Sequence, residues 1–300
     1  MKRPGERWYE SELWLGRAMI APAVLYIVLL VGFPFALGLV YSVSDVTIGS
    51  HGLHWAGLDN YRRVMQGSAF WTAVGNTFLF TVISQVLVLV LAKILALALM
   101  RDFRGKWLVR LVLLLPWVAP ISLGSIGWLW IFDSTYSVIN WTLRATGAIN
   151  PGDWPIWLGQ PGLAMAAIIV VHVWRLLPFA TVIVLGGLSS IPNDIHDAAA
   201  IDGAGFWRQL FTITLPLVMP ILLVALLFGI VFTATDLVVV QVLTRGGPYD
   251  STQVLASLAF FTGINGGDLG GGAAIALFLF PLLVVVAVAM LRMARRGEVT

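Results

Sequence analysis

The stretch IPNDIHDAAAIDGAGFWRQLFTITLPLVMP, residues 191–220, is weakly hydrophobic and densely patterned, and strongly apolar segments lie on both sides of it. Those flanks decide the fold class. Of the 300 residues, 59% are hydrophobic and 11% are charged, which is more apolar surface than one soluble core of that size can bury. Several runs reach the ~20 residues that cross a bilayer as a helix, and only helices and closed barrels satisfy every backbone polar group in hydrocarbon. The runs are continuous rather than alternating, so the fold is expected to be an all-α membrane protein in one transmembrane domain covering the whole chain. Six spanning helices are expected over about 17–43, 72–99, 107–132, 161–188, 216–243 and 271–293.

The charged opening MKRPGERWYESELWLGR resembles the start of a signal peptide. The apolar run after it is too long for a signal's hydrophobic region and has no small-residue cleavage site, so a retained first helix is expected. Six spans place both termini on one side. With the N-terminus inside, Lys2, Arg3, Arg7, Arg17, Arg101, Arg104, Lys106, Arg110, Arg208, Arg292, Arg295 and Arg296 fall at the cytoplasmic face, against Arg62, Arg63, Arg144 and Arg245 outside. The positive-inside rule therefore predicts a cytoplasmic-membrane protein with both ends in the cytoplasm and residues 191–216 facing the same way. The net charge of +3 is dispersed and gives no reason to expect a nucleic-acid partner. Cysteine is absent, which removes disulfides, thiolate metal sites and cysteine nucleophiles. Trp55, Trp141, Trp154 and Trp157 in the outer loops suit the membrane interface.

Within the patterned stretch, Pro192 suits a first helical turn, Asn193 and Asp194 place acceptors at its positive end, and Gly203 suits a left-handed stop. A helix of about three turns follows from these signals, with Ala198, Ala199 and Ala200 as a small-residue patch between Asp197 and Asp202. A second amphipathic helix is expected through Phe206, Trp207, Leu210, Phe211 and Ile213, broken by Leu215-Pro216 where the fifth span starts. Physical reasoning alone leaves two readings open: a protein-docking hairpin, or a hairpin lying on the membrane surface.

The stretch resembles the EAA loop of binding-protein-dependent ABC importer permeases: an acidic residue, two alanines, a glycine four positions on and a later leucine-proline pair. Here these are Asp197, Ala198, Ala199, Gly203, Leu215 and Pro216, with aspartate where glutamate is usual. Other phrases resemble landmarks of the carbohydrate-importer, maltose-type branch, in the order of that branch: GLDNYRRVM, FWTAVGNTF, LLLPWVAPISLGSIGWLWIF, VINWTLRATG, HVWRLLPFATVIVLGGLSSIP and VLTRGGPYDST. The resemblance implies a type I ABC importer permease fold with a cytoplasmic coupling helix between spans four and five, in the loop 189–215. It also implies a non-catalytic subunit that moves a carbohydrate by alternating access. The implied partners are a second related permease, two ABC ATPase subunits that bind ATP and Mg, and an extracytoplasmic solute-binding protein. No P-loop is legible here, because Lys2, Lys93 and Lys106 lack the glycine frame. A gradient-driven secondary transporter is the alternative; it requires inverted repeats and convergent acidic residues, and neither is visible. A membrane enzyme acting on lipid-linked sugars requires paired carboxylates or a metal cluster at one face.

Polar groups inside the expected spans form the remaining candidates. Lys93 is close enough to the cytoplasmic end to snorkel. Arg175 lies mid-span beside Trp174 and Pro178, and is expected to pair with a carboxylate or with carbonyls freed at the proline. Asp236 is the nearest carboxylate in kind, although counting rise per residue sets it nearer the outer face by on the order of 10 Å. His172 is expected to be a satisfied polar side chain, and no metal site is expected. Asn76, Ser84, Gln85, Trp174, Thr233, Thr235, Asp236 and Gln241 are the candidates for a sugar pathway, since neutral sugars require hydrogen-bonding groups and aromatic faces. The segment GINGGDLGGGAA, residues 263–274, is expected to be a mobile outer loop.

Overall fold

The computed structural model describes residues 12–50, 52–150 and 152–297. Lys2, Arg3 and Arg7 lie outside the described residues. Five helices are long and apolar enough to cross a membrane, and a bent pair makes a sixth. The first span, Trp14–Ser42, runs through α1 (Glu12–Ile27), a π-turn at Val28–Gly32 and α2 (Phe33–Ser42). A two-strand hairpin follows, β1 (Ser44–Asp45) antiparallel to β2 (His54–Trp55), then the short α3 (Asp59–Gln66). The second span is α4 (Ser68–Met100) and the fourth is α8 (Pro161–Ser189), where Pro161 occupies the first turn and costs no hydrogen bond.

The expected third span, 107–132, is not one helix. It divides into α5 (Lys106–Val118) and α6 (Ile121–Ile131), which meet at 99°. The reason is local: Ala119 precedes Pro120 and is driven into extended backbone, φ −65° and ψ 141°, which ends the helix. The loop after it carries α7 (Val138–Ala145), with the Ser137 hydroxyl accepting from the Ile139 and Asn140 amides.

The expected break at Leu215-Pro216 does not occur. Helix α10 (Phe206–Gln209) passes through a π-turn at Leu210–Thr214 directly into α11 (Leu215–Ala234). Pro216 has no N–H to give to residue 212. In the π-turn the ladder shifts, with the Leu215 amide bonding the Leu210 carbonyl, so the missing donor falls inside an already displaced frame. The π-turn at Val28–Gly32 stands in the same relation to Pro34, with the Phe33 amide on the Val28 carbonyl. The fifth span is interrupted elsewhere: α11 ends at Ala234, and α12 (Val238–Leu243) begins after a non-helical joint at 235–237.

The core forms where α4 and α8 pack side by side, with α11 against both and α5 against α8. Ala92, Ala96, Ala164, Ala167 and Ala180 are buried along these contacts and let the backbones approach, while Phe80, Val88, Ile168, Val171, Val184 and Val218 fill the space between them. A second cluster of Phe70, Ala73, Leu255, Ile275 and Leu279 joins α4 to α13 (Leu255–Phe260) and α14 (Leu269–Gly297). From Leu25 to Val31 the first span is exposed throughout, whereas α2 packs on α14.

The glycine-rich segment 263–274 is packed rather than mobile. Ile48 N–H donates to the Gly267 carbonyl at 2.8 Å and Gly270 N–H to Val46 at 3.0 Å, joining the hairpin to the start of α14. A Cβ on Gly270 would lie 2.5 Å from the Ser44 carbonyl oxygen, and one on Gly272 would lie 2.5 Å from Gly263 Cα. The glycines are there for close approach of backbones.

Candidate functional site

The loop between the fourth and fifth spans holds the expected helix, α9 (Asn193–Ile201), whose start has Pro192 at the N-cap with no side-chain capping bond, while Gly203 ends it as expected. Its C-terminus is a complete Schellman turn. Ala204 N–H donates to the Ala199 carbonyl at 2.9 Å, Gly203 N–H donates to Ala200 at 3.1 Å, and Gly203 adopts φ +70°. Gln209 Nε2 donates to the Ala204 carbonyl at 3.0 Å, tying α10 to that turn. Asp197, Ala198, Asp202 and Gly203 are exposed, while Ala199 is buried. Pro216 is exposed and Leu215 half-buried, one step up the continuous helix. The loop is therefore a short helix presenting three carboxylates, Asp194, Asp197 and Asp202, with small residues and the exposed Ile201, next to an exposed aromatic ladder of Phe206, Trp207 and Phe211 with the last two rings stacked 6.1 Å apart.

A second constellation lies inside the bundle. His172 Nδ1 is 2.8 Å from Asp236 Oδ2, and His172 Nε2 is 2.8 Å from the Thr233 hydroxyl. Gln85 Nε2 donates to that hydroxyl at 2.7 Å, and Arg175 Nη1 donates to Asp236 Oδ2 at 3.3 Å. The other carboxylate oxygen, Oδ1, accepts the Val239 amide at 3.1 Å, which caps α12. A carboxylate only accepts, so Nδ1 of His172 carries the proton facing Asp236. Every ionisable member has a partner, as burial in an apolar bundle demands. Gly229 makes room for the amide: a Cβ there would fall 2.0 Å from Gln85 Oε1.

The expected pairing of Arg175 with a carboxylate is observed, and the offset computed from rise per residue is overcome by two features. His172 and Arg175 share one face of α8 at i, i+3 spacing, and the long arginine side chain reaches along that face. The chain also leaves the helix after Ala234, so Asp236 turns back onto α8 instead of continuing outward. His172 has a larger part than sequence reasoning gave it. The signal that could have revealed this is its i, i+3 spacing to Arg175, with an intramembrane aspartate available one span away.

The other pathway candidates separate into three groups. Gln85, Thr233 and Asp236 are spent on this buried network, and Ser84 is buried beside Gln85. Asn76 holds the loop after α12, donating to the carbonyls of Ser251 at 2.8 Å and Gln253 at 2.9 Å. Trp174, Thr235 and Gln241 retain accessible surface; Trp174 rests edge-on against Trp128, 5.6 Å between centroids, above Gly124. Arg175 is also partly open, its side chain 29% exposed. Nearer the loop, Trp117, Phe179, Phe228 and Phe232 form an aromatic cluster joining α5, α8 and α11. Lys93 is half-buried close to Thr214 and Leu215, at the end of α4 nearest the loop.

In the loop after α6, Asn140 is fully buried and unites three segments of chain that sequence reasoning left apart. Its Nδ2 donates to the carbonyls of Ser134 and Pro155, each at 3.2 Å, and its Oδ1 accepts the Trp157 indole N–H at 2.8 Å. Trp157 is thus a structural residue, while Trp141 is exposed and Trp154 lies under the Arg144 guanidinium at 5.9 Å. Among the described residues no group of three or more His, Asp or Glu side chains could hold a metal ion.

Residues 88–298 match the family described as binding-protein-dependent transport system inner membrane component. The chain is 33% identical over 285 residues to the trehalose/maltose transport system permease protein MalF of Thermococcus litoralis, covering 95% of each. It is 33% identical over 295 residues to the sulfoquinovosyl glycerol transport system permease protein SmoG of Agrobacterium fabrum, covering 97% of this chain and 94% of that protein. Among solved structures, a chain of a bacterial alginate ABC transporter, in complex with its alginate pentasaccharide-bound periplasmic protein, superposes with a TM-score of 0.78 at 21% identity, covering 97% of this chain and 98% of that one.

Proposed function

From the premise that the chain belongs to the binding-protein-dependent transport system inner-membrane component family, we propose that it passes a carbohydrate through the cytoplasmic membrane, driven by partner ATPases docked at the loop 189–215. That it is the permease of an ABC importer, a multi-pass inner-membrane component without catalysis of its own, follows from family membership. The carbohydrate cargo rests on what its relatives carry, trehalose or maltose in one and sulfoquinovosyl glycerol in another.

The observation that carries the docking assignment is the construction of α9. A Schellman turn with glycine at φ +70° fixes the helix end, and Asp197, Ala198 and Asp202 stand exposed on it. A surface fixed this way, with Ala198, Ala200 and a projecting Ile201 between charges, suits insertion into a groove on another protein better than a lipid interface, which wants a broad face without carboxylates. In this reading ATP and Mg are held by two copies of the ATPase, and a second related permease completes the pathway. A solute-binding protein delivers the sugar from outside, both termini lie in the cytoplasm, and the two permeases rock about a central cavity. Trp174, Thr235, Gln241 and the open part of Arg175 are the groups in this chain available to a sugar.

The test is purification of the chain in mild detergent from its native membrane, followed by reconstitution of whatever remains bound. Recovery of an ABC ATPase and a second permease, with ATP hydrolysis stimulated by sugar-loaded binding protein, supports the reading. Recovery of the chain alone overturns the docking role of α9. Stimulation by a non-carbohydrate solute only overturns the cargo.

A further inference from the structure

The helix that begins at Phe206, next to the docking turn, continues unbroken to Ala234, roughly 40 Å at ~1.5 Å per residue. Beyond it lie the joint 235–237, the short α12, and the outer loop 244–253. That loop is strongly constrained. Arg245, Tyr249 and Asp250 have positive φ, the Thr244 and Thr252 hydroxyls bond each other at 2.8 Å, and Asn76 of α4 holds its far side. A continuous helix and a constrained tip are therefore connected by one segment of non-helical backbone. One side chain of α8 ties that segment down: the His172 imidazole bonds Thr233 just before the joint through Nε2 and, through Nδ1, Asp236 within it, whose other oxygen accepts the Val239 amide of α12. The imidazole is fully buried and edge-on to Phe80, 4.8 Å between centroids, so packing fixes its plane.

We propose that His172 is a positioning residue for energy coupling: it splints the joint at 235–237, so that displacement of the docking loop reaches the outer loop 244–253 instead of being absorbed as bending between α11 and α12. Arg175 supports the splint by holding Asp236 Oδ2, and Gln85 supports it by holding the Thr233 hydroxyl. The inference rests on the importer reading above for its functional consequence, but its geometric content can be tested without a cargo.

The experiment uses the assembled, reconstituted complex with Thr233→Val, which keeps the volume and removes the hydroxyl, against Thr233→Ser, which keeps the hydroxyl; His172→Phe is the harsher companion. The expected result is that Thr233→Val and His172→Phe lower sugar transported per ATP by about tenfold or more at equal assembled complex, with basal ATP hydrolysis within about twofold of wild type, and that Thr233→Ser behaves as wild type. The chain has no cysteine, so Phe228→Cys with Gln241→Cys places spin labels on either side of the joint and nowhere else in this subunit. Their distance distribution is expected to be narrow in wild type and Thr233→Ser and broadened in Thr233→Val. Equal widths in Val and Ser overturn the splint whatever the cargo proves to be. Equal transport-to-ATP ratios in wild type and Thr233→Val, or a loss of transport and hydrolysis together, overturn its role in coupling. A wild-type complex that carries no sugar while the label widths still separate Val from Ser supports the splint and removes only the carbohydrate reading.

Discussion

Substitution of Gly203 tests the docking loop with a graded series. At φ +70° an L-residue meets its own backbone, a penalty of about 1–2 kcal/mol for alanine, while asparagine tolerates the left-handed region better. Nothing lies within 4 Å of a Cβ built at this position, so the cost is conformational and not a clash. If the loop conformation that docks is in equilibrium with one in which the Schellman turn is open, 1–2 kcal/mol lowers the closed-to-open ratio by roughly 5–30-fold, and the competent population falls by up to that factor once the open form predominates. The expected order of binding-protein-stimulated transport is therefore Gly203 first, then Gly203→Asn, Gly203→Ala and Gly203→Val, the last penalised further by its branched Cβ. Gly203→Asp should follow asparagine in backbone cost and lose more through its charge beside Asp202. Membrane insertion and complex recovery, measured on the same preparations, should stay near wild type because the turn is exposed. Gly203→Ala and Gly203→Val that transport as well as wild type, or Gly203→Asn that is the worst of the three, would refute the argument from backbone conformation.

Asp197→Lys should weaken ATPase retention on affinity purification far more than Arg144→Ala, which lies in the loop after α6; equal effects would remove α9 as the docking element. Asn140→Leu should leave the Trp157 indole N–H and two carbonyls without their partner, costing about 2–3 kcal/mol, seen as faster protease cleavage within 133–160 and a lower melting temperature. Gly270→Ala places a Cβ 2.5 Å from the Ser44 carbonyl oxygen and 2.8 Å from Asn60 Nδ2, so a destabilisation of about 1–3 kcal/mol is expected in thermal unfolding, whereas Gly75→Ala, with open space around it, should be neutral.

The spans themselves were legible because apolar length is a one-dimensional property: each expected segment overlaps an observed helix. The interruptions were less so. Pro120 and Pro216 carry the same local signal, yet one breaks its helix at 99° and the other sits in an unbroken one. The difference is the π-turn before Pro216, whose formation depends on packing along Leu210 and Thr214, both buried. The break after Ala234 has no proline or glycine at all. It becomes understandable only through the Asp236 carboxylate, which stabilises the first turn of α12 and the face of α8 together, a three-dimensional arrangement that spacing along the chain does not encode. In α9, by contrast, the signals are local: the proline before the helix, the alanine patch and the left-handed glycine all act within a few residues of themselves, while the break expected at the other end of that loop fails for the same packing reason. Composition suggested a slack linker at 263–274, and the structure shows that the glycines there are forced by backbone contact.

The π-turn at Leu210–Thr214 carries one residue more per turn than the helix on either side of it, which makes the segment sensitive to changes in length in an unequal way. Deleting one residue there would let the hydrogen-bond ladder return to ordinary α register at little local cost, and the chain would still insert. Because the Leu210 carbonyl would then meet the Leu215 amide as an ordinary i to i+4 pair, everything before the deletion, including Trp207 and α9, would keep its bearing relative to the span above. A one-residue deletion in the regular helix of α11 has no wide turn to absorb it and would swing α9 about the axis by about 100°, so two deletions a few residues apart would differ sharply in where α9 faces. Orientation of the loop is set by residue count as much as by residue identity.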